Sequence, residues 1–176
     1  MRNRDQLLAV AARVLATSET EPSMRAIARE AGVGIGTLYR HFPTRESLVE
    51  AVYQDQVVRL TKGAQDLLAA HTPAVALRRW MDLFGDWIAT KNGMLATLLT
   101  MVESGEVAHA RTRDELLAAI SSILTAGVAA GDLRTDVTAE EVSAGLIGIF
   151  TVAHRHDQGV TAERLLDIFL DGLRAH

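Results

Sequence analysis

Apolar residues recur at three- and four-residue spacing along almost the whole chain, and no stretch alternates with period two for long. That spacing lays one apolar stripe on each of a series of helices, so the architecture it permits is helix packed on helix. Leu7, Leu8, Ala11, Ala12 and Leu15 define a first helix from about Asn3 to Thr17, broken by Ser18–Pro22. Ser23 caps a short helix, Met24 to Ala31, that Gly32 ends, and a second short helix follows from Ile35 to His41. Thr44 then caps one long helix to about Ala70, and Thr72-Pro73 opens the next, which Asn92-Gly93 closes. Met94 to Val102 is a short apolar helix closed near Ser104-Gly105. A further helix spans about Ala108 to Ala130, with Leu116, Leu117, Ile120, Ile123, Leu124 and Val128 on its buried side. Gly131-Asp132 stops it, Thr138…Glu141 has the form of a capping box opening a helix through His154, and Thr161 caps a last helix to about Ala175. The expectation is an all-α chain of nine helices: three at the N-terminus, then six that pack as a bundle. The functional division falls near residue 47, giving domains 1–47 and 48–176.

Composition narrows the function. The chain has 176 residues, nearly half of them hydrophobic, and three prolines, which suits a folded chain with a sizeable core. It has no cysteine, so disulfides and cysteine-ligated metals are excluded, and a reducing cytoplasm fits. The amphipathic N-terminus offers no signal peptide, and no window reaches the length of a membrane span. A net charge of −4 looks wrong for a polyanion binder, but the charge is uneven. Residues 1–47 hold seven arginines against five acids, +2, while the remainder holds 11 bases against 17 acids, −6. A basic head on an acidic body fits local phosphate contact.

Residues 23–42 carry the chemistry. Two short helices joined at a glycine form a helix-turn-helix pattern. Ile27, Ala28 and Ala31 give the first helix an apolar side; Val33, Leu38 and Phe42 anchor the second, and core packing is the whole of their role. Gly34 and Gly36 keep the leading face of the second helix low, as entry into a major groove about 12 Å wide demands. By themselves, Tyr39 and His41 read as an ordinary surface aromatic and histidine.

The string Ile27-Ala28 … Ala31-Gly32-Val33 … Gly36-Thr37-Leu38-Tyr39-Arg40-His41-Phe42, followed by Arg45-Glu46-Ser47-Leu48, closely resembles the signature of the TetR family of transcriptional regulators. The likeness is strong over roughly residues 5–55. The C-terminal part is similar in helix count and lengths, and its Leu77-Arg-Arg-Trp run resembles the SbtR-like branch. The resemblance implies that Arg25 and Thr37 approach base edges, that Tyr39 and His41 donate to phosphates, that Gly36 lies on the same face, and that Arg45 clamps the backbone. It departs at Gly34-Ile35, where many relatives carry a polar pair; Ile35 offers a base no hydrogen bond and reaches at most a thymine methyl.

The family also implies a dimer on palindromic double-stranded operator DNA, since paired readers need paired half-sites, and release by a small, apolar or amphipathic effector. Trp80, Phe84, Trp87, Met94, Leu98 and Met101 gather aromatics and methionines mid-chain. From spacing alone a packed core is the favoured reading; the resemblance brings an apolar ligand cavity level with it. Gly145, Gly148 and Gly172 place small residues on the last two helices, either for a partner chain or for intrachain packing. His154-Arg155-His156-Asp157 does not make a metal site, because residues two apart do not share a helix face. No phosphate loop, activated nucleophile or carboxylate pair supports an enzyme, and no cofactor is expected. The alternative is a helical ligand-binding or interaction protein without operator recognition, which would have no reason to keep Thr37, Tyr39, His41 and Arg45 together.

Overall fold

The structure, a computed structural model, describes residues 2–18, 20–103, 109–153 and 161–175. Among these residues it is all helical: α1 (Arg2–Thr17), α2 (Met24–Glu30), α3 (Ile35–His41), α4 (Arg45–Ala70), α5 (Pro73–Asn92), α6 (Leu95–Glu103), α7 (His109–Ala130), α8 (Ala139–Ala153) and α9 (Ala162–Leu173). The caps expected from sequence form as hydrogen bonds. The Ser23 side chain accepts from the Ala26 N–H at 3.2 Å, Thr44 from Ser47 at 3.1 Å, and Thr161 from Arg164 at 3.3 Å. Thr138 and Glu141 close the capping box in both directions, at 2.8 and 3.2 Å. Gly32 and Gly131 have φ of +67° and +74°. At each, the following N–H returns to the carbonyl five residues back, Val33 to Ala28 and Asp132 to Gly127, so both end their helices as Schellman motifs.

The chain divides into two compact units, and α4 and α5 each supply residues to both. The first unit comprises Met1–Val58 and Asp86–Ala110. Its core gathers Leu7, Leu8, Leu15, Ile27, Leu38, Phe42, Val52, Tyr53, Met94 and Leu98, all buried. Gly93, at the α5–α6 turn, lies so close to α1 that a Cβ there would stand 1.8 Å from the Leu15 carbonyl oxygen. The second unit comprises Arg59–Gly85 and Arg111–His176. Leu77, Trp80, Met81, Phe84, Ile120, Ile123, Val142 and Leu146 fill its core. There the Trp80 indole donates to the Leu60 carbonyl at 2.9 Å, which satisfies its one polar atom. Arg78 of α5 joins Asp82 and Asp167 at 2.6 and 2.7 Å, tying α5 to α9.

Two expectations need correction. Val128 is 38% exposed rather than buried, and Leu117 is only half-buried. After the Gly131 turn, Leu133 folds back over Gly127 and takes the place on the inner side of α7, leaving Val128 outside. The last helix ends at Leu173 rather than Ala175, because the Arg134 N–H donates to the Leu173 carbonyl at 3.0 Å and the Ala175 N–H to the Asp132 carbonyl at 3.1 Å. The terminal residues pair with the α7–α8 connection instead of prolonging the helix. Ser104-Gly105 and the His154–Asp157 run lie outside the described residues.

Candidate nucleic-acid interface

The helix-turn-helix is built from the inside out. Ile27 and Ala28 on α2 and Leu38 on α3 are buried, with Phe42 immediately after α3, so the apolar period fixes which side chains remain outside. Arg25, Gly36, Tyr39, Arg40 and His41 are exposed and Thr37 is half-buried. Tyr39, a large aromatic, leaves 46% of its surface in solvent. A Cβ on Gly36 would meet nothing within 4 Å, so no packing among the described residues requires a glycine there. Ile35 is half-buried and Gly34 supplies the backbone cap of α3, its carbonyl accepting from Thr37 at 2.9 Å and Leu38 at 3.2 Å. Arg4 packs its guanidinium over the Phe42 ring, 5.4 Å from the centroid, which gives it a role in holding α1 against the motif.

Arg45 is placed differently from the other five expected DNA-facing residues. Its Nε donates to Glu21 Oε1 at 3.2 Å and Thr97 Oγ1 at 3.0 Å, its Nη1 to the Pro22 carbonyl at 2.5 Å, and its Nη2 lies 2.8 Å from Glu21 Oε1. The Thr97 hydroxyl also donates to that carboxylate, at 2.5 Å. Burial alone would raise the Glu21 pKa; the bonds from Thr97 and Arg45, with the arginine's charge, outweigh it and hold the carboxyl below its usual range. Neither Glu21 nor Thr97 was singled out from sequence. They lie 76 residues apart, and no periodic spacing links them.

The six residues expected around a ligand are all buried. In the second unit Trp80 stacks on Phe84 at 5.6 Å and Phe84 on Phe150 at 6.2 Å. Phe150 was not anticipated; it sits over Gly85, where a Cβ would come within 2.6 Å of its ring. In the first unit Trp87 lies 6.5 Å from Tyr53, and the Lys91 ammonium stands 5.2 Å over the Trp87 ring, where burial lowers its pKa. Met94, Leu98 and Met101 belong to the same unit. Two clefts lie elsewhere in the second unit: one of about 600 Å³ beside Ser121, Thr125 and Val128, and one of about 620 Å³ beside Arg134, Ile168 and Phe169. On the last two helices, Gly145 serves the chain's own packing, since a Cβ there would stand 2.6 Å from the Phe169 ring; Gly148 and Gly172 face open space. Among the described residues no group of three His, Asp or Glu could hold a metal, and no helix is long and apolar enough to cross a membrane.

A basic helix-turn-helix displayed on a helical scaffold defines a DNA-binding regulator, and comparison with known proteins agrees. Residues 7–52 match the family described as bacterial regulatory proteins of the tetR family, and residues 72–175 match the SbtR-like transcriptional regulator C-terminal domain. The crystal structure of the TetR transcriptional regulator SCO0520 from Streptomyces coelicolor is 44% identical, covers 98% of each chain and superposes with a TM-score of 0.87. That of the TetR transcription regulatory protein from Mycobacterium vanbaalenii is 36% identical, covers 99% of this chain and 96% of its own, with a TM-score of 0.75. The HTH-type transcriptional regulator SAR0097 of Staphylococcus aureus (strain MRSA252) is 36% identical over 67 residues, 34% of this chain and 35% of its own length. The match thus spans about a third of that curated relative. The chain belongs to the TetR family of transcriptional regulators, in the SbtR-like branch, and is a regulator rather than an enzyme.

Proposed function

We propose that this regulator is a cytoplasmic repressor that binds a palindromic operator as a homodimer and leaves it when a small apolar or amphipathic effector binds. In this reading residues 1–47 read DNA, and residues 48–176 bind the effector and dimerise. The observation that carries it is α3: Leu38 is buried while Gly36, Tyr39 and His41 face outward at its exposed side. Arg25 and Thr37 then address base edges, and Tyr39 and His41 the phosphates.

Dimerisation through α8 and α9 is supported by the solvent-facing residues of both helices. Ala144, Ile147, Gly148, Thr151 and Val152 are exposed and follow helical spacing along one face of α8. Ile168 and Gly172 are exposed on α9, and Ile147 and Ile168 each leave about half their surface in water (50% and 53%). A small and apolar stripe of this kind favours close contact with a second copy. Two readers so joined would address half-sites about 34–36 Å apart. The effector is assigned to Trp80, Phe84, Trp87, Met94, Leu98 and Met101, buried side chains among which methionine is adaptable.

Selection from random duplexes tests the reading. Wild type should enrich a palindrome, with affinity falling steeply as salt rises. Tyr39→Phe should weaken all sequences alike, whereas Thr37→Ala should also relax preference at one position by about 1–3 kcal/mol. Enrichment of no palindrome would leave a helical ligand-binding or interaction protein as the better reading.

A further inference from the structure

We infer that Glu21 and Thr97 are positioning residues for DNA readout, acting together on Arg45 to fix the reading head. The inference rests on the proposal that α3 faces DNA, and it reassigns Arg45 from phosphate clamp to internal strut.

Three separate elements meet at this cluster: the segment leading into α2, the first residue of α4, and the third residue of α6. Thr97 is buried, and the Arg45 and Glu21 side chains are 24% and 21% exposed, so the pair is largely removed from water. Arg45 divides its donors between a carboxylate, a hydroxyl and the Pro22 carbonyl. A planar guanidinium bonded through Nε and Nη1, with its buried Nη2 in ion-pair contact with Glu21 but making no hydrogen bond, holds its partners in one geometry, which a lysine in its place would not. Pro22 is one residue from the Ser23 cap of α2, so the strut sets where the helix-turn-helix begins. An independent contact in the same unit has the same effect: the α5–α6 turn rests on the Leu15 carbonyl through Gly93, with no room for a side chain between. A residue 60 positions beyond Thr37 therefore holds the motif in register. For Arg45 to bind a phosphate it would first have to give up these partners.

The competing assignments differ in sign. Glu21→Gln removes a negative charge from a head that approaches a polyanion; by charge alone it should tighten DNA binding. If Glu21 positions Arg45, the same change weakens binding despite the favourable charge. Thr97→Val keeps the volume, changes no charge and deletes the hydroxyl; Thr97→Ser restores it. Dissociation constants for the selected operator should rise about tenfold in both Glu21→Gln and Thr97→Val, with Thr97→Ser near wild type. The slope of log affinity against log salt should stay unchanged in all three, and in Arg45→Met, because no phosphate contact is lost.

Amide hydrogen exchange on the DNA-free full chain gives a second readout. Thr97→Val should speed exchange across α2 and α3, and Thr97→Ser should not. Tighter or unchanged operator binding by Glu21→Gln, or a salt slope reduced by about one contact in Arg45→Met, would overturn the inference. Unchanged exchange in Thr97→Val would do so too. If wild type binds no operator, the proposed function fails, and hydrogen exchange still decides the role of the strut. If Glu21→Gln does not fold, Thr97→Val carries the test.

Discussion

Gly36 stands in the first turn of α3 at an ordinary helical φ, with open space where a side chain would be. Glycine costs a helix about 0.5–1 kcal/mol relative to alanine, and no contact among the described residues repays that here. Gly36→Ala should therefore raise thermal stability while lowering operator affinity, a divergence that parallel melting and binding curves would detect. Equal or better binding by the more stable variant would remove Gly36 from the interface. The outward placement of Tyr39 and His41 was legible because Leu38 and Phe42 fix the phase of a short helix. The partners of Arg45 were not. Periodicity reports contacts within an element, whereas Glu21 and Thr97 meet it only through the tertiary fold.

Between elements, the caps show which local signals suffice. Ser23, Thr44, Thr138 and Thr161 start helices where their side-chain oxygens reach the next turn, and Gly32 and Gly131 stop them by entering positive φ. α9 stops short of the end its sequence suggests because Asp132 and Arg134, distant in sequence, bond the backbone of Ala175 and Leu173. Val128 is exposed for a similar reason, its inner place being taken by Leu133. The strut between α4 and α6 carries a dependence on pH. The Glu21 carboxyl titrates lower when folded than when unfolded, so its contribution is full above the ordinary carboxylate pKa and is lost as pH falls through the lowered folded value. Melting curves of wild type and Glu21→Gln should stand apart at pH 7 and converge as the medium is acidified below about 4.5. A gap that persists undiminished at pH 3 would mean that the carboxylate's charge contributes nothing to the fold.

At the scale of the whole molecule, the two glycines of α8 distinguish intrachain packing from the proposed dimer contact. Gly145 lies under Phe169, so Gly145→Leu should destabilise the monomer itself, by about 1–3 kcal/mol as overpacking does. Gly148 faces open space, and Gly148→Leu should leave the monomer's melting intact while weakening the dimer. Sedimentation of the two variants distinguishes these outcomes; an unaltered dimer in Gly148→Leu would place the interface elsewhere. In the proposed function, the surplus of acids beyond residue 47 concentrates positive charge in the segment assigned to DNA, which would keep phosphate attraction local to it.

The chain has two tryptophans, both on α5, and they fall on opposite sides of the boundary between the compact units. Trp80 is fully buried with its indole bonded to a carbonyl, whereas Trp87 lies beneath an ammonium group. Their excited states therefore sense unlike surroundings. Replacing either by phenylalanine leaves a single tryptophan, in one unit, that can be excited apart from the two tyrosines, so events in each unit can be timed separately, with no dye attached and no cysteine introduced.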